Sequence, residues 1–175
     1  MSTKRSASVI VLTALTIYGL GKGKQLDNSD SDFDDNAVVD IPVIVEVDDR
    51  VLAVEEYFKK WDLPLAEYAE TFVEVADENG LDFRLLPAIA MIESTGGKRC
   101  LGNNPFGFLY RDFENFDEAI RYVGKAIAGK STHRAWKEGM TTEEILWVYN
   151  GTVNPNYPSK VLSVMERIEE IGGGK

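Results

Sequence analysis

Apolar residues recur at spacings of three and four through most of the chain, a pattern typical of amphipathic helices. The spacing predicts one helix over residues 48–61 and a second that begins at Pro64 and stops at Asn79-Gly80. A third helix is expected to begin after Asp82, a suitable N-cap, and to end at Thr95-Gly96-Gly97. The pattern therefore predicts three consecutive helices between residues 48 and 97.

Beyond the third helix the pattern breaks and then resumes. Residues 98–115 are rich in Gly, Asn and aromatic residues, which predicts a long loop or a small β-region. Phe116 begins a further helix that ends at Gly129, the capping box Thr141-Thr142-Glu143-Glu144 begins a short one, and Pro158 begins the last. We expect a mainly α domain with a small irregular or β insert.

The first 47 residues follow a different pattern. Residues 6–20 carry no charge and come after Lys4 and Arg5, as in an export signal, and a buried core helix is the alternative. The acidic, apolar-poor stretch that follows is typical of a flexible linker. Residues 37–47 are apolar and β-branched, which predicts a short strand or an extended arm.

These patterns divide the chain into four segments. We expect a signal peptide or signal anchor over 1–24, an acidic flexible linker over 25–47, a helical domain over 48–171 and a flexible tail over 172–175. The apolar run is shorter than the roughly 20 residues of a membrane span, so cleavage and retention as an anchor both remain open. The expected location is the cell envelope, either secreted or membrane-tethered.

Charge and rare residues narrow the chemistry. The formal net charge is −10, and residues 26–50 hold nine acids against Arg50 alone, a local balance of −8, which disfavours nucleic-acid binding. Cys100 is the only cysteine, which excludes an intramolecular disulfide, and the only histidine is His133. A Cys–His nucleophile is not expected because nothing in the sequence brings the two together. No metal or other cofactor is expected.

Glu93 is the candidate catalytic residue. It stands at the C-terminal end of an almost wholly apolar helix, and such a helix is usually buried. Burial and the negative end of the helix dipole both disfavour a carboxylate and raise its pKa. A carboxyl that stays protonated near neutral pH can protonate a leaving oxygen. The alternative is an ordinary helix-terminal Glu, solvated or paired with Lys98 or Arg99.

Residues 83–97 resemble the catalytic helix of the lysozyme-like superfamily, in particular soluble lytic transglycosylases and cell-wall glucosaminidases. The resemblance rests on an apolar helix that ends in Glu-Ser before a Gly-containing loop, here Ile92-Glu93-Ser94-Thr95-Gly96-Gly97. It implies that Glu93 is the general acid and base and that Ser94 helps to hold the site and the substrate. The lysozyme-like domain would then span residues 48–171, as a monomer.

A second block, Asn103-Asn104-Pro105-Phe106-Gly107-Phe108, is similar to the Asn-Asn-x-Phe-Gly segment of the glucosaminidases. The resemblance implies that Asn103, Asn104, Phe106, Gly107 and Phe108 line a sugar cleft. Amides can bind sugar hydroxyls and N-acetyl groups, and aromatic faces can stack on pyranose rings. The alternative is a turn packed under the helix.

Two late tyrosines complete the resemblance. In the family such tyrosines reach towards the acid or the N-acetyl group of the substrate, which implies a substrate-binding role for Tyr149 and Tyr157. Tyr149 is preferred because it ends a short helix, and either ring could instead belong to the core or the rim. The three tryptophans are expected to be core or rim aromatics; they are Trp61, Trp136 and Trp147.

The expected function is cleavage of the β-1,4 linkage of peptidoglycan or a related N-acetylated glycan. The Gly-Leu-Met-Gln segment of the transglycosylases is absent, so hydrolysis and transglycosylation both remain open. A hydrolase commonly uses two carboxylates, and Asp112 and Glu114 are the nearby candidates for a second, although a solvated loop is the alternative. The rival functions are a chitinase-like N-acetylglucosaminidase and an inactive cell-wall-binding module.

Overall fold

The computed structural model describes residues 7–12 and 43–173, with side chains from residue 47 onward. The described residues divide into two compact units, one that contains residues 7–12 and 43–47 and one that contains Asp48 and the helices after it. In the first unit, β1 (Ala7–Leu12) pairs with β2 (Val43–Asp48) in a two-stranded sheet. The short strand predicted within residues 37–47 is therefore present.

Most of the predicted signal and linker lies outside the described residues. Ala7–Leu12 forms a strand, so the alternative of a buried core helix is wrong for this stretch. The consecutive β-branched residues Val9, Ile10 and Val11 favour the extended backbone. Among the described residues, no helix has both the length and the apolar character needed to cross a membrane.

The helical unit begins as the sequence predicts. Helix α1 (Asp49–Lys59) starts at the N-cap Asp48, whose side chain accepts the Arg50 N–H. A 3-10 turn (Pro64–Tyr68) leads into α2 (Ala69–Asn79), which Gly80 ends with φ of 69°. That left-handed conformation costs glycine little, so the predicted Asn-Gly stop is confirmed.

Helix α3 (Leu85–Ser94) carries the candidate acid. The predicted N-cap Asp82 is wrong in position, because the N-cap of α3 is Arg84. Asp82 lies two residues earlier, where its carboxylate accepts the Arg84 N–H and forms an ion pair with the Arg84 guanidinium. The helix stops where predicted, since Thr95 takes a left-handed φ of 56° and Gly96 follows at 61°. The first two turns are buried and the last turn emerges at the surface.

Turns occupy the expected irregular insert. The structure shows a 3-10 turn (Phe108–Tyr110) and no strand between residues 98 and 115. Helix α4 (Phe116–Ile127) begins at the N-cap Asn115, whose side chain accepts the Glu118 N–H. The loop alternative for the insert is therefore confirmed, and the β alternative is wrong.

The last two helices follow α4 in the chain. Helix α5 (Thr142–Leu146) has the predicted capping box and passes directly into a π-helical turn (Trp147–Gly151). Helix α6 (Tyr157–Gly172) closes the described chain. Because α6 includes Gly172, the expected tail begins no earlier than Gly173.

The helices pack around one apolar core. Helix α6 contacts both α1 and α3, and α2 packs on α4. The core includes fully buried residues from every α-helix, such as Phe58, Phe72, Ile89, Ile120 and Ile168, together with Leu146. The expected mainly α class is confirmed for the part of the chain that the structure describes.

Candidate active site

Glu93 lies in the last turn of α3, where the helix leaves the core. Residues Leu85–Ala90 are buried, whereas Met91 is half-buried and Ile92 is 36% exposed. Glu93 is exposed as a whole residue but its carboxyl has lost part of its hydration, so the expected burial of the acid is only partial. The buried turns hold α3 in the core. Its last turn leaves the core and exposes the Glu93 carboxyl to solvent, where a large substrate can reach it.

Partial loss of hydration raises the pKa of the Glu93 carboxyl above its ordinary value. The Tyr157 hydroxyl acts in the opposite direction, because its hydrogen bond favours the ionised form. A raised pKa keeps more of the carboxyl in the form that can donate a proton.

Tyr157 is the aromatic residue that reaches the acid. Its hydroxyl donates a 2.7 Å hydrogen bond to Glu93 Oε1, and the tyrosine is only 2% exposed. Burial, followed by the nearby Glu93 charge, raises the pKa of Tyr157, so the phenol stays protonated as a donor. The preference for Tyr149 over Tyr157 as the residue that reaches towards the acid is therefore wrong.

Tyr149 supports this arrangement from the side. Its ring stacks on that of Tyr157 with centroids 5.9 Å apart and an interplanar angle of 2°. Its hydroxyl donates to the carbonyl oxygen of Phe106 at 2.7 Å. Burial, and after it the charge of Glu93, raises the pKa of Tyr149 well above its ordinary value. Tyr149 therefore connects the Tyr157–Glu93 pair to the loop that contains Phe106.

The Asn-Asn-Pro-Phe-Gly-Phe loop turns its polar side chains inward. Asn104 is buried; its Nδ2 donates to the carbonyls of Phe108 and Arg111, and its Oδ1 accepts the Phe108 N–H. Asn103 Nδ2 donates to the carbonyls of Phe113 and Glu114. Both side-chain amides therefore form hydrogen bonds within the loop, which agrees with the alternative prediction of a turn packed under the helix.

The two phenylalanines of this loop are also internal. Phe106 is 1% exposed and Phe108 is 4% exposed, so neither ring offers a face to a sugar. Phe108 is enclosed by four aromatic neighbours, of which Tyr149 was predicted from the sequence to belong to the site. The other three, which were not, are Tyr122, His133 and Trp136.

Gly107 is the member of the loop that faces the acid. It is exposed, with φ of 59°, and a Cβ at this position would stand 3.5 Å from Glu93 Oε2. The absent side chain leaves the carboxyl open, and a left-handed φ favours glycine. The exposed Leu109 and Tyr110 continue the turn, each with φ of 51°, and the sequence analysis did not single them out.

Ser94 is directed into the protein. It is 3% exposed; its hydroxyl donates to the Ala90 carbonyl at 3.0 Å and accepts the Gly97 N–H at 2.9 Å. This geometry fits a residue that holds the turn after Glu93. Direct contact between Ser94 and a substrate stays a prediction.

A second carboxylate does not act on Glu93 in the described part of the chain. A neighbouring carboxylate would raise the Glu93 pKa by repulsion, yet that shift arises from lost hydration and is opposed by the Tyr157 hydrogen bond. Asp112 and Glu114 are exposed in the loop, and the structure gives neither of them a hydrogen bond to Glu93. The groups in direct contact are therefore one carboxyl and one phenol, and a role for Asp112 or Glu114 stays a prediction.

The remaining candidates lie outside this arrangement. Glu93 forms no ion pair among the described residues, and both Lys98 and Arg99 are exposed. The Cys100 thiol lies within hydrogen-bond distance of the Gly97 and Gly102 carbonyls and can donate to one of them. Burial raises its pKa, which disfavours a reactive thiolate. His133 Nε2 instead pairs with the Tyr122 hydroxyl at 3.0 Å.

The tryptophans differ in their surroundings. Trp136 is half-buried and packs on Phe108, whereas Trp61 and Trp147 are exposed at 55% and 48%. In the described ranges, no group of three or more His, Cys, Asp or Glu side chains is arranged to hold a metal ion.

No family model matches the chain, and no curated protein matches it.

Proposed function

We propose that this protein cleaves the β-1,4 linkage of peptidoglycan, with Glu93 as general acid and then general base. The observation that carries the proposal is the 2.7 Å hydrogen bond from the buried Tyr157 hydroxyl to an accessible Glu93 carboxyl with a raised pKa. A protonated carboxyl at an open surface can donate to the oxygen that leaves the anomeric carbon. The resemblance of Ile92-Glu93-Ser94 to the lysozyme-like catalytic helix supports the same role.

The neighbouring groups fit the charge changes of this step. When Glu93 gives up its proton, the carboxylate gains the Tyr157 hydrogen bond as a stabilising partner. In the second half of the reaction the carboxylate can take a proton from the incoming oxygen. That oxygen belongs to water in hydrolysis and to the substrate's own hydroxyl in transglycosylation.

The single-carboxyl arrangement favours mechanisms that do not need a second protein carboxylate. One is transglycosylation, in which an intramolecular hydroxyl of the substrate closes on the anomeric carbon. The other is hydrolysis in which the N-acetyl group of the substrate acts as the internal nucleophile. Mass spectrometry of the released fragments separates them, because the anhydro product of transglycosylation is lighter by one water.

Glu93→Gln tests the proposal. General acid–base catalysis typically contributes about 10²–10⁴-fold, so the variant should clear cell-wall material slower than wild type by that order. Glu138→Gln is the matched control, because it makes the same change at an exposed carboxyl outside the candidate site. Equal clearing by wild type and Glu93→Gln would contradict the mechanism.

The same comparison separates enzyme from binding module. A module that has kept the cleft and lost its activity would bind cell-wall material with and without the substitution and clear it in neither case. We also propose that the protein acts outside the cytoplasm, through the apolar segment within residues 1–24. Detection of the full-length chain in the envelope fraction would support an anchor, and a shortened chain would support a cleaved signal.

A further inference from the structure

A groove of about 400 Å³ lies between α3, α6 and α1. Helix α3 contributes Met91 and Ile92, the two residues before Glu93. Helix α6 contributes most of the rest, and Tyr57 of α1 closes the far side. The α6 residues that line the groove are Ser159, Lys160, Ser163, Val164 and Arg167.

Two cations in this groove have no anionic partner. Among the described residues, neither Lys160 nor Arg167 forms an ion pair, and both are exposed. The Arg167 guanidinium donates instead to the neutral hydroxyl of Ser163 at 3.2 Å and hydrogen-bonds to Tyr57. The chain holds 29 acidic against 19 basic residues. A groove that concentrates unpaired positive charge in so acidic a protein favours an anionic ligand.

The groove adjoins the candidate active site in sequence through Ile92, which lines it and directly precedes Glu93; Glu93 and Tyr157 do not themselves line it. Lys160 follows Tyr157 by three residues on α6, which places it about 4.5 Å further along the helix axis. Arg167 follows Tyr157 by ten residues, or about 15 Å along the same axis. These axial separations are short enough for a peptide of several residues, attached to a glycan at Glu93, to reach both cations.

We propose that this groove binds the carboxylate-bearing peptide stem of peptidoglycan while the glycan chain lies at Glu93. The inference rests on the proposed function and makes its substrate specific. Arginine and lysine bind carboxylates through charge-assisted hydrogen bonds, and Ser159 and Ser163 supply hydroxyls for the peptide backbone. Met91, Ile92 and Val164 provide an apolar floor for small side chains such as alanine. An uncharged chitin-like glycan has neither a carboxylate for the two cations nor a peptide for the serine hydroxyls and the apolar residues.

The test compares two forms of one substrate. Peptidoglycan with its stems intact and glycan strands stripped of their stems by an amidase are digested in parallel, and fragments are measured by mass spectrometry. We expect wild type to prefer the stem-bearing strands by at least tenfold in kcat/KM. The Lys160→Gln/Arg167→Gln double variant should lose that preference, chiefly through a higher KM.

The matched control is Lys125→Gln/Arg134→Gln. It removes the same pair of residue types from exposed positions away from the groove, so the preference should persist. Equal rates on both substrates in wild type, or a preference that survives in the groove variant, would overturn the inference and leave the proposed function standing. If wild type cuts neither substrate, the proposed function fails.

A binding measurement decides the groove even in that case. A soluble muramyl peptide is titrated calorimetrically into Glu93→Gln, alongside the same peptide with its carboxylates amidated. We expect at least tenfold weaker binding of the amidated peptide, and a similar loss for the free peptide when Lys160→Gln and Arg167→Gln are added. Equal affinity for the two peptides would overturn the inference.

Discussion

The hydroxyl of Tyr157 donates a 2.7 Å hydrogen bond to Oε1 of Glu93, across 64 positions of the chain. The bond joins the first turn of α6 to the last turn of α3, and these two helices pack on each other. Helix packing thus sets the distance between the two groups. A substitution that removes the Tyr157 hydroxyl should therefore change the pKa of the Glu93 carboxyl without unfolding the core.

Tyr157→Phe should raise the pKa of Glu93 further, because the lost hydrogen bond favours the carboxylate. The midpoint of the Glu93 titration, followed by carbon NMR of the carboxyl, should move to higher pH. Activity should fall about 10- to 100-fold, since a hydrogen bond to a charged group contributes roughly 1.5–3 kcal/mol.

Tyr149→Phe is the control for this change. Its hydroxyl donates to the Phe106 carbonyl and not to Glu93, and the remaining ring can still stack on Tyr157. The Glu93 titration should therefore move less than in Tyr157→Phe. A larger shift in Tyr149→Phe would mean that Tyr157 is not the donor that sets the Glu93 pKa.

Glu93→Gln should stabilise the fold at neutral pH. The pKa of Glu93 is raised in the folded protein, so between the ordinary value of 4.5 and the raised value the folded chain holds a proton that the unfolded chain releases. Wild-type stability therefore falls with rising pH through that window, and the loss persists above it. Glutamine cannot ionise, so the Glu93→Gln variant does not lose this stability as the pH rises.

Thermal unfolding checks this sign. The Tm of Glu93→Gln should exceed that of wild type at pH 7, and the gap should close below pH 4.5. A gap that widens towards acid pH would reverse the inferred direction of the Glu93 shift.

The helices were predictable because their signals are local. The Thr141–Glu144 capping box and the Gly80 stop depend on residues within one or two turns, and both are present in the structure. The error at Asp82 is also local. Asp82 accepts the N–H two residues on, as Asp48 does at the start of α1, but residues 83–84 form a turn and the helix begins only at Leu85.

The site was harder to predict because it depends on which way side chains point. The left-handed turn at Gly107 directs Phe106 and Phe108 inward, and a sequence pattern does not reveal that direction. Similarly, the π-helical turn at Trp147–Gly151 changes the helical register around Tyr149. This explains why helix position alone did not identify Tyr157 as the partner of the acid.

Ser94→Ala should destabilise the protein by roughly 1–3 kcal/mol, because the buried N–H of Gly97 loses its acceptor. Urea unfolding measures this cost. If Ser94 only positions the turn after Glu93, kcat should fall with little change in KM. A raised KM at unchanged stability would instead support direct contact between Ser94 and the substrate.

Ser131→Ala is the matched control. Its hydroxyl accepts the His133 N–H in a half-buried turn, so water can replace it at little cost. The unfolding free energy should therefore change much less than in Ser94→Ala. Comparable losses in the two variants would show that burial of Ser94 does not set its contribution.

Gly107→Ala should impair activity more than stability. The left-handed backbone costs an alanine about 1–2 kcal/mol, and the new Cβ would stand 3.5 Å from Glu93 Oε2. That methyl group occupies space in front of the carboxyl, where the proposed substrate must approach. We expect kcat/KM on peptidoglycan to fall at least tenfold, equivalent to about 1.4 kcal/mol in the barrier.

Gly139→Ala separates the two effects, because Gly139 also has a left-handed φ, 83°, but nothing lies within 4 Å of an added Cβ. It should lose a similar amount of stability in urea unfolding and keep its activity. If both variants lose activity in proportion to stability, the backbone cost explains the result. If only Gly107→Ala loses activity, the open space before Glu93 is where the glycan binds.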